Sequence, residues 1–341
     1  MREVAERAGV AMSSVSRVLS GHPDVSEQMR ENVVRAVEEL GYVPDMLAQG
    51  LRTQRTMSVG FAISDISNPV LAETITGAER RLRAAGYSLL LTDAEGDPER
   101  DAADIRLLQQ RRVDGLLLSL ADEHHAATRA ALQELEVPVV LVDRDRPPGV
   151  VGPRVCFDNQ IGMRAAAEHL FELGHRHVAL IGGGPRRPAR QRRKGVEGVF
   201  QRAGVEASCT VYEHGLGIEH GVEATRAILA LDPRPTAIIA AGNQLMHGAL
   251  RTLHQADVRI GADISLVGCD DVAVAEFHDP PIALVRRDTR EIGTVAAELL
   301  IAAMSAGEDA NGDHPDLVLP TEFVARASAA PPPAAGRKRR R

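Results

Sequence analysis

From Met57 to about Leu284 the chain alternates short, unbroken apolar runs with amphipathic stretches. The runs are VGFAI (59–63), YSLLLT (87–92), GLLLSL (115–120), VPVVLVD (137–143), HVALIGG (177–183), TAIIAAG (236–242) and ISLVGCD (264–270). Each has the length of a strand and lacks polar alternation, and a helical stretch follows it, which is the pattern of parallel strands covered on both faces. NPVLAETITGAERRLRAAG carries the helical half: Leu71, Ile75, Ala78 and Leu82 fall on one stripe, and Gly86 ends it. The units are too many for one sheet of ordinary size. The region is therefore expected to form two similar α/β lobes, each a doubly wound parallel sheet, divided near 155–157. Ligands of such folds bind beyond the carboxyl ends of the strands, so a candidate site lies in the cleft between the lobes.

Residues 1–56 contain no strand candidate and read as a separate helical unit. In VAERAGVAMSSVSRVLSG, helix one is expected over Arg2–Ala8, a turn at Gly9, and helix two from near Ser13 to Leu19. Ala5, Gly9 and Val15 stand where a helix-turn-helix needs a small residue, a permissive turn residue and an apolar pin. Val4, Ala8, Val10, Val18 and Leu19 then face inward, leaving Met12, Ser13, Ser14, Ser16 and Arg17 outside. Hydroxyls and Arg can bond phosphates or base edges in a major groove, and Met can press on a thymine methyl. A third helix follows in VSEQMRENVVRAVEELG, with Ser26 as N-cap, Met29, Val33, Val37 and Leu40 inward, and Gly41 as its stop. Any small three-helix bundle can contain such a turn, and seven basic against eight acidic side chains in this unit do not decide the matter.

Composition excludes several classes. The 341 residues carry a formal charge of −7, and −12 without the five basic residues of the closing RKRRR, so indiscriminate nucleic-acid binding over the whole surface is not expected. SAAPPPAAGRKRRR reads as a disordered basic tail, able to add salt-sensitive DNA affinity or simply solubility. No apolar run approaches the roughly 18–20 residues of a membrane span, and MREVAERAGV has no apolar signal core; the expected location is the cytoplasm, with no membrane partner. Cys156, Cys209 and Cys269 are widely spaced within apolar stretches and read as core residues. His124 and His125, and the group His169, His175 and His177, have no cysteine beside them and read as surface and turn residues, so no metal is expected. GGGP (182–185) lacks the spacing and Lys of a phosphate loop, and no G-x-S-x-G elbow is present. No enzyme and no cofactor are expected.

The chain resembles the lactose-repressor (LacI/GalR) family of bacterial transcription regulators over residues 1–328. The resemblance rests on EVAERAGV, SSVSRVLSG, ELGYVPDMLAQGLRTQRT, VGFAISDISNP, RRVDGLLL, PVVLVDRD, EHLFELGHRHVALIGG, GADISLVGCDD and PPIALVRRD. It implies a helix-turn-helix headpiece (1–44), a hinge helix and linker (45–56), and a periplasmic-binding-protein-like core (57–328), followed by the tail (329–341). Within the core it implies lobe one at about 57–156 plus 286–312 and lobe two at about 157–285 plus 313–328. It implies a homodimer bound to a pseudo-palindromic double-stranded DNA operator at the nucleoid, with affinity set by a small effector. By motif position Met12 and Ser13 would touch base edges, Ser14, Ser16 and Arg17 phosphates or bases, and Tyr42 the backbone. Leu51, with Ala48 beside it, takes the place of the hinge-helix wedge that opens the minor groove. Family members usually carry several residues before this start, including a cap for helix one.

The resemblance also maps effector contacts onto Val70, Leu71, Ser119, Asp143, Arg192, Asn243, Asp270 and Arg287. Asp143 and Asp270 would bring carboxylates from opposite lobes to accept from a ligand, and Arg192 a fork of donors. Val70 and Leu71 replace an aromatic pair, Asn243 replaces Asp, and Arg287 stands where the family often has Gln. With aromatics at 3% and no Trp, stacking on a sugar face is less available, and a second Arg near Arg192 would favour a carboxylate or phosphate on the effector. The effector class is thus a sugar or an anionic metabolite. The rival reading is a ligand-binding protein of the sugar-transport type without DNA function, which would share the core but not residues 1–56.

Overall fold

A computed structural model describes residues 1–19, 22–42, 55–204, 207–213, 215–306 and 316–333. The chain forms two compact units, Met1–Thr56 and Met57–Arg341. The first holds α1 (Arg2–Ala8), α2 (Met12–Leu19) and α3 (Glu27–Glu39) around a core of Val4, Ala5, Val15, Val18, Val33 and Ala36. Gly9 ends α1 at φ +68°, a conformation a Cβ would strain, and the chain turns there into α2. Ser26 caps α3 by accepting from the Met29 amide at 3.4 Å. At the other end Gly41 takes φ +55° and the Tyr42 amide reaches back to the Val37 carbonyl. Leu40, expected inward, is instead 43% exposed, because the helix unwinds at this residue and turns its side chain off the core stripe.

The second unit contains two six-stranded sheets. The first runs β11-β5-β4-β3-β1-β2, formed by β1 (Ser58–Ile63), β2 (Ser88–Asp93), β3 (Gly115–Ser119), β4 (Val139–Val142), β5 (Arg154–Phe157) and β11 (Asp316–Leu319). The second runs β12-β10-β9-β8-β6-β7, formed by β6 (His177–Gly182), β7 (Ser208–Glu213), β8 (Ala237–Ala240), β9 (Ser265–Cys269), β10 (Ala283–Arg286) and β12 (Glu322–Val324). Every pairing is parallel except β10 with β12. The expected doubly wound lobes are therefore present, and each is layered with helices. Lobe one carries α4 (Pro69–Ala84), α5 (Pro98–Gln110), α6 (Ala126–Gln133) and α12 (Thr289–Ala306); lobe two carries α7 (Asn159–Glu172), α8 (Arg187–Arg202), α9 (Ile218–Leu229), α10 (Asn243–Gln255) and the short α11 (Ala273–Phe277). Buried Cys156 and Cys269 and half-buried Cys209 sit in or against these cores; burial raises all three thiols, Cys209 to about 12 and Cys269 to about 11.

Two sequence boundaries move. The sequence places 313–328 with lobe two, but β11 (residues 316–319) pairs in register with β5, Leu317 opposite Val155, so the last crossing falls at Pro320 and Thr321. There Thr321 Oγ1 accepts from the Gly162 amide at 3.0 Å and donates to the Asp158 carbonyl at 2.7 Å, tying two crossings together. Residues 329–333 had been expected in the disordered tail and are instead ordered on lobe two. The Ala330 carbonyl accepts from Ser265 Oγ at 2.8 Å and lies 2.9 Å from His175 Nε2, whose other ring nitrogen meets Thr236 Oγ1 at 2.7 Å. His175 is accordingly a fully buried residue rather than a surface one.

Candidate functional site

In both sheets the strand order reverses between the first and third strands of the lobe, at β1/β3 and at β6/β8, and the loops leaving these strands face one another across a crevice. A cavity of about 110 Å³ lies there, below the several hundred Å³ of drug-sized pockets, and so fits a small metabolite rather than a peptide. All eight residues mapped by sequence line it: Val70 and Leu71 from the start of α4, Ser119 from the end of β3, Asp143 after β4, Arg192 in α8, Asn243 at the start of α10, Asp270 after β9, and Arg287 at the crossing from β10 to α12.

The two aspartates are not open acceptors. Arg287 donates from Nε and an Nη to Asp270 Oδ1 at 2.7 and 2.6 Å and from its other Nη to Asp143 Oδ2 at 3.1 Å. Its side chain is 5% exposed, and its guanidinium carbon lies 4.9 Å from the Phe157 ring centre. Burial alone would favour loss of its proton, but the two carboxylates outweigh it and hold the Arg287 pKa above its ordinary value. Asp143 and Asp270 both take φ near +50 to +75°, which turns each carboxylate toward the cleft as its strand ends. A pair joined across two lobes by one Arg differs from the expectation that both carboxylates await a ligand.

Arg192 is 6% exposed; its Nε donates to Asn159 Oδ1 at 3.0 Å and one Nη to the Ala241 carbonyl at 2.8 Å. Its other Nη has no hydrogen-bond partner among the described residues. Asn243 spans the cleft, donating to Asn68 Oδ1 at 3.0 Å, and Gln244 donates to Asp65 Oδ2 at 3.0 Å. At the rim, Arg190 of α8 donates to Asp145 of lobe one at 2.5 Å. These bonds bridge the two lobes across the cleft.

Sequence reasoning missed Arg186, Asn68 and Gln244. Arg186 was hidden in the Arg-rich PRRPARQRRKG, where nothing in residue order separates a cleft residue from a solvated one. Asn68 follows the strand that opens the switch point, and that placement was the available signal. Glu123, His124 and Asp145 also come together with their oxygens and ring nitrogen within 4.8 Å. Arg190, His124 and Arg154 hold the Asp145 carboxyl below the usual range despite burial, and Arg187 lies 3.9 Å from it, so the cluster is an ion-pair network and a poor cation site.

On α2, Met12 is 53% exposed, Ser13 and Arg17 are exposed, and Ser14 and Ser16 are half-buried, while Val15 and Val18 are inside. Tyr42 is half-buried against the headpiece core. Ala48 and Leu51 lie outside the described residues.

A helix-turn-helix unit followed by a two-lobed core with an interlobe cavity defines a ligand-responsive DNA-binding regulator. Family models agree: bacterial regulatory proteins of the lacI family match residues 1–45, and a periplasmic binding protein-like domain matches residues 167–329. The ribose operon repressor of Escherichia coli K12 is 34% identical over 305 residues, covering 88% of this chain and 92% of that protein. A lac repressor dimer bound to operator and the anti-inducer ONPF superposes with a TM-score of 0.82 at 27% identity, covering 96% and 98%. The transcriptional regulator CelR in complex with cellobiose gives 0.70 at 31%, also covering 96% and 98%. The chain belongs to the LacI family of bacterial regulatory proteins, whose members are DNA-binding transcriptional repressors and not enzymes.

Proposed function

We propose that this chain is a cytoplasmic repressor that binds a pseudo-palindromic operator as a homodimer and releases or tightens its grip when a small metabolite occupies the interlobe cavity. The observation that carries the reading is that one chain joins an outward-facing α2, bearing Met12, Ser13 and Arg17, to a cleft that gathers all eight expected effector residues. Met12 and Ser13 would read base edges, Ser14, Ser16 and Arg17 would secure phosphates or bases, and Tyr42 would contact the backbone. Leu51, supported by Ala48, would wedge a central base step from the minor groove. In the cleft, Asn243 and Arg192 are placed to bond a sugar or anionic metabolite, with Val70 and Leu71 against its apolar side. Arg287 holds Asp143 and Asp270 together, so that lobe closure and ligand occupancy share the same groups. The bound dimer of the lac repressor and the cellobiose complex of CelR support this arrangement by likeness.

Selection of bound DNA from a random pool by the full-length protein, followed by the salt dependence of the best site, tests it. A pseudo-palindrome with a bendable central step is the expected result. Binding that is sequence-blind and tracks only phosphate charge would leave the sugar-transport type of ligand-binding protein as the better reading.

A further inference from the structure

The cavity's donors are unevenly used. All three guanidinium nitrogens of Arg287 are engaged by Asp143 and Asp270, and all three of Arg144 by the Leu120, Asp143 and Ser119 carbonyls and Ser64 Oγ. Two arginines remain on the lining. Arg192, more than nine-tenths buried, has one Nη without a partner among the described residues. The Arg186 guanidinium, at the residue before α8, makes no hydrogen bond or ion pair with any of them; the Arg144 charge opposes it, and Glu123, Asp101 and Asp122 act on it only from a distance.

Helix ends point the same way. The residues just before α8 and α10, Arg186 and Gly242, both lie on the cavity lining and neither helix has a side-chain cap, whereas α4 on the opposite wall is capped by Asn68. Free amides at a helix start, with the positive end of its dipole, favour an anion. Burial pushes the Arg186 pKa down to about 10, so its charge sits on the cleft lining at a cost that an anion beside it would relieve.

We infer that the effector carries an oxyanion, a carboxylate or a phosphate, seated between the free edge of Arg192, the Arg186 guanidinium and the uncapped starts of α8 and α10. This rests on the cleft being the effector site. Planar guanidinium edges match both oxyanions, so the chemistry is shared and the source is separated by the ligands used.

The test is titration calorimetry of the full-length protein with ribose and ribose 5-phosphate, and with glucose, gluconate and glucose 6-phosphate. The expected result is that at least one charged compound binds tenfold or more tightly than its neutral counterpart. Arg186→Gln then weakens that compound at least tenfold, Arg186→Lys recovers part of the loss, and both variants keep the parent melting temperature within a few degrees. Preference for gluconate identifies a carboxylate, and preference for a sugar phosphate identifies a phosphate. Neutral sugars binding as tightly as the charged ones, with loss on Asn243→Ala, overturn the anionic inference and leave the effector cleft standing. Charged ligands that bind equally to the parent and to Arg186→Gln overturn it as well. No binding by any of the five compounds overturns both the inference and the cleft as their site.

Discussion

At the scale of single residues, the helix layers depend on hydrogen where a methyl group would collide with backbone. A Cβ on Gly293 of α12 would stand 1.9 Å from the Thr74 carbonyl oxygen of α4, and one on Gly77 of α4 would stand 2.0 Å from the Arg290 carbonyl oxygen of α12. The two helices approach through these reciprocal glycines, and neither carbonyl can move without moving its helix. Gly293→Ala should therefore destabilise lobe one by about 1–3 kcal/mol, the usual cost of overpacking. A thermal melt unchanged from the parent would contradict it. Leu51→Ala belongs to the same scale: specific operator binding should fall far more than non-specific binding, measured by competition with random DNA, because only the specific complex is expected to gain from a wedge. Equal losses would remove Leu51 from that role. These positions differ in legibility. The role proposed for Leu51 comes from its motif alone, whereas Gly77 and Gly293 are ordinary helix residues until the partner helix, 216 positions away in the chain, is in place.

At the scale of elements, the strands that showed in the sequence are mostly the central ones, with the edge strand β2, YSLLLT, as the exception. VGFAI, GLLLSL and ISLVGCD are continuous apolar runs because each is buried on both faces. The elements that did not show sit toward the sheet edges or are very short. β7, SCTVYE, is an edge strand with polar positions facing out, β11 and β12 are edges of four and three residues, and β5, RVCF, has four. The ordered strap at 328–330 was equally illegible, since SAA in a Pro-rich setting looks like tail; what orders it is Ser265 and His175 on lobe two. Burial lowers the His175 pKa below its ordinary 6.5, so the unfolded chain takes up a proton that the folded chain refuses. The stability from this group is therefore complete above about pH 6.5 and declines as pH falls below it. Melting temperatures at pH 7.5 and 5.5 should drop more for the parent than for His175→Gln. Equal drops would mean that the strap does not sense this proton.

At the scale of the whole molecule, the lining of the interlobe cleft proposed for the effector was legible by residue and not by bonding. Eight positions were mapped and all eight line one cavity, yet the capture of Asp143 and Asp270 by Arg287 joins three segments that residue order cannot connect. That cross-lobe network gives the coupling its physical content. A ligand shifts an equilibrium only by its differential affinity for the two arrangements, so contacts made solely in the closed form set how much closure costs the ligand. Arg190 and Asp145 form a cross-lobe contact at the rim, outside the cavity, that is expected to be made only when the lobes close. Arg190 is 52% exposed, so its pairing is worth no more than about 1 kcal/mol and is screened by salt. For an effector that prefers closed lobes, Arg190→Gln should weaken binding by up to about fivefold at low salt, the factor equivalent to 1 kcal/mol, and the difference from the parent should shrink in high salt. By linkage, the effector's influence on operator affinity should keep its sign in the variant, because the cavity contacts are intact. Effector titrations at two salt concentrations, with and without operator, measure both quantities. A variant that binds effector as tightly as the parent at low salt would place the energetics of closure in the cavity itself, on Arg287 and Asn243 rather than at the rim.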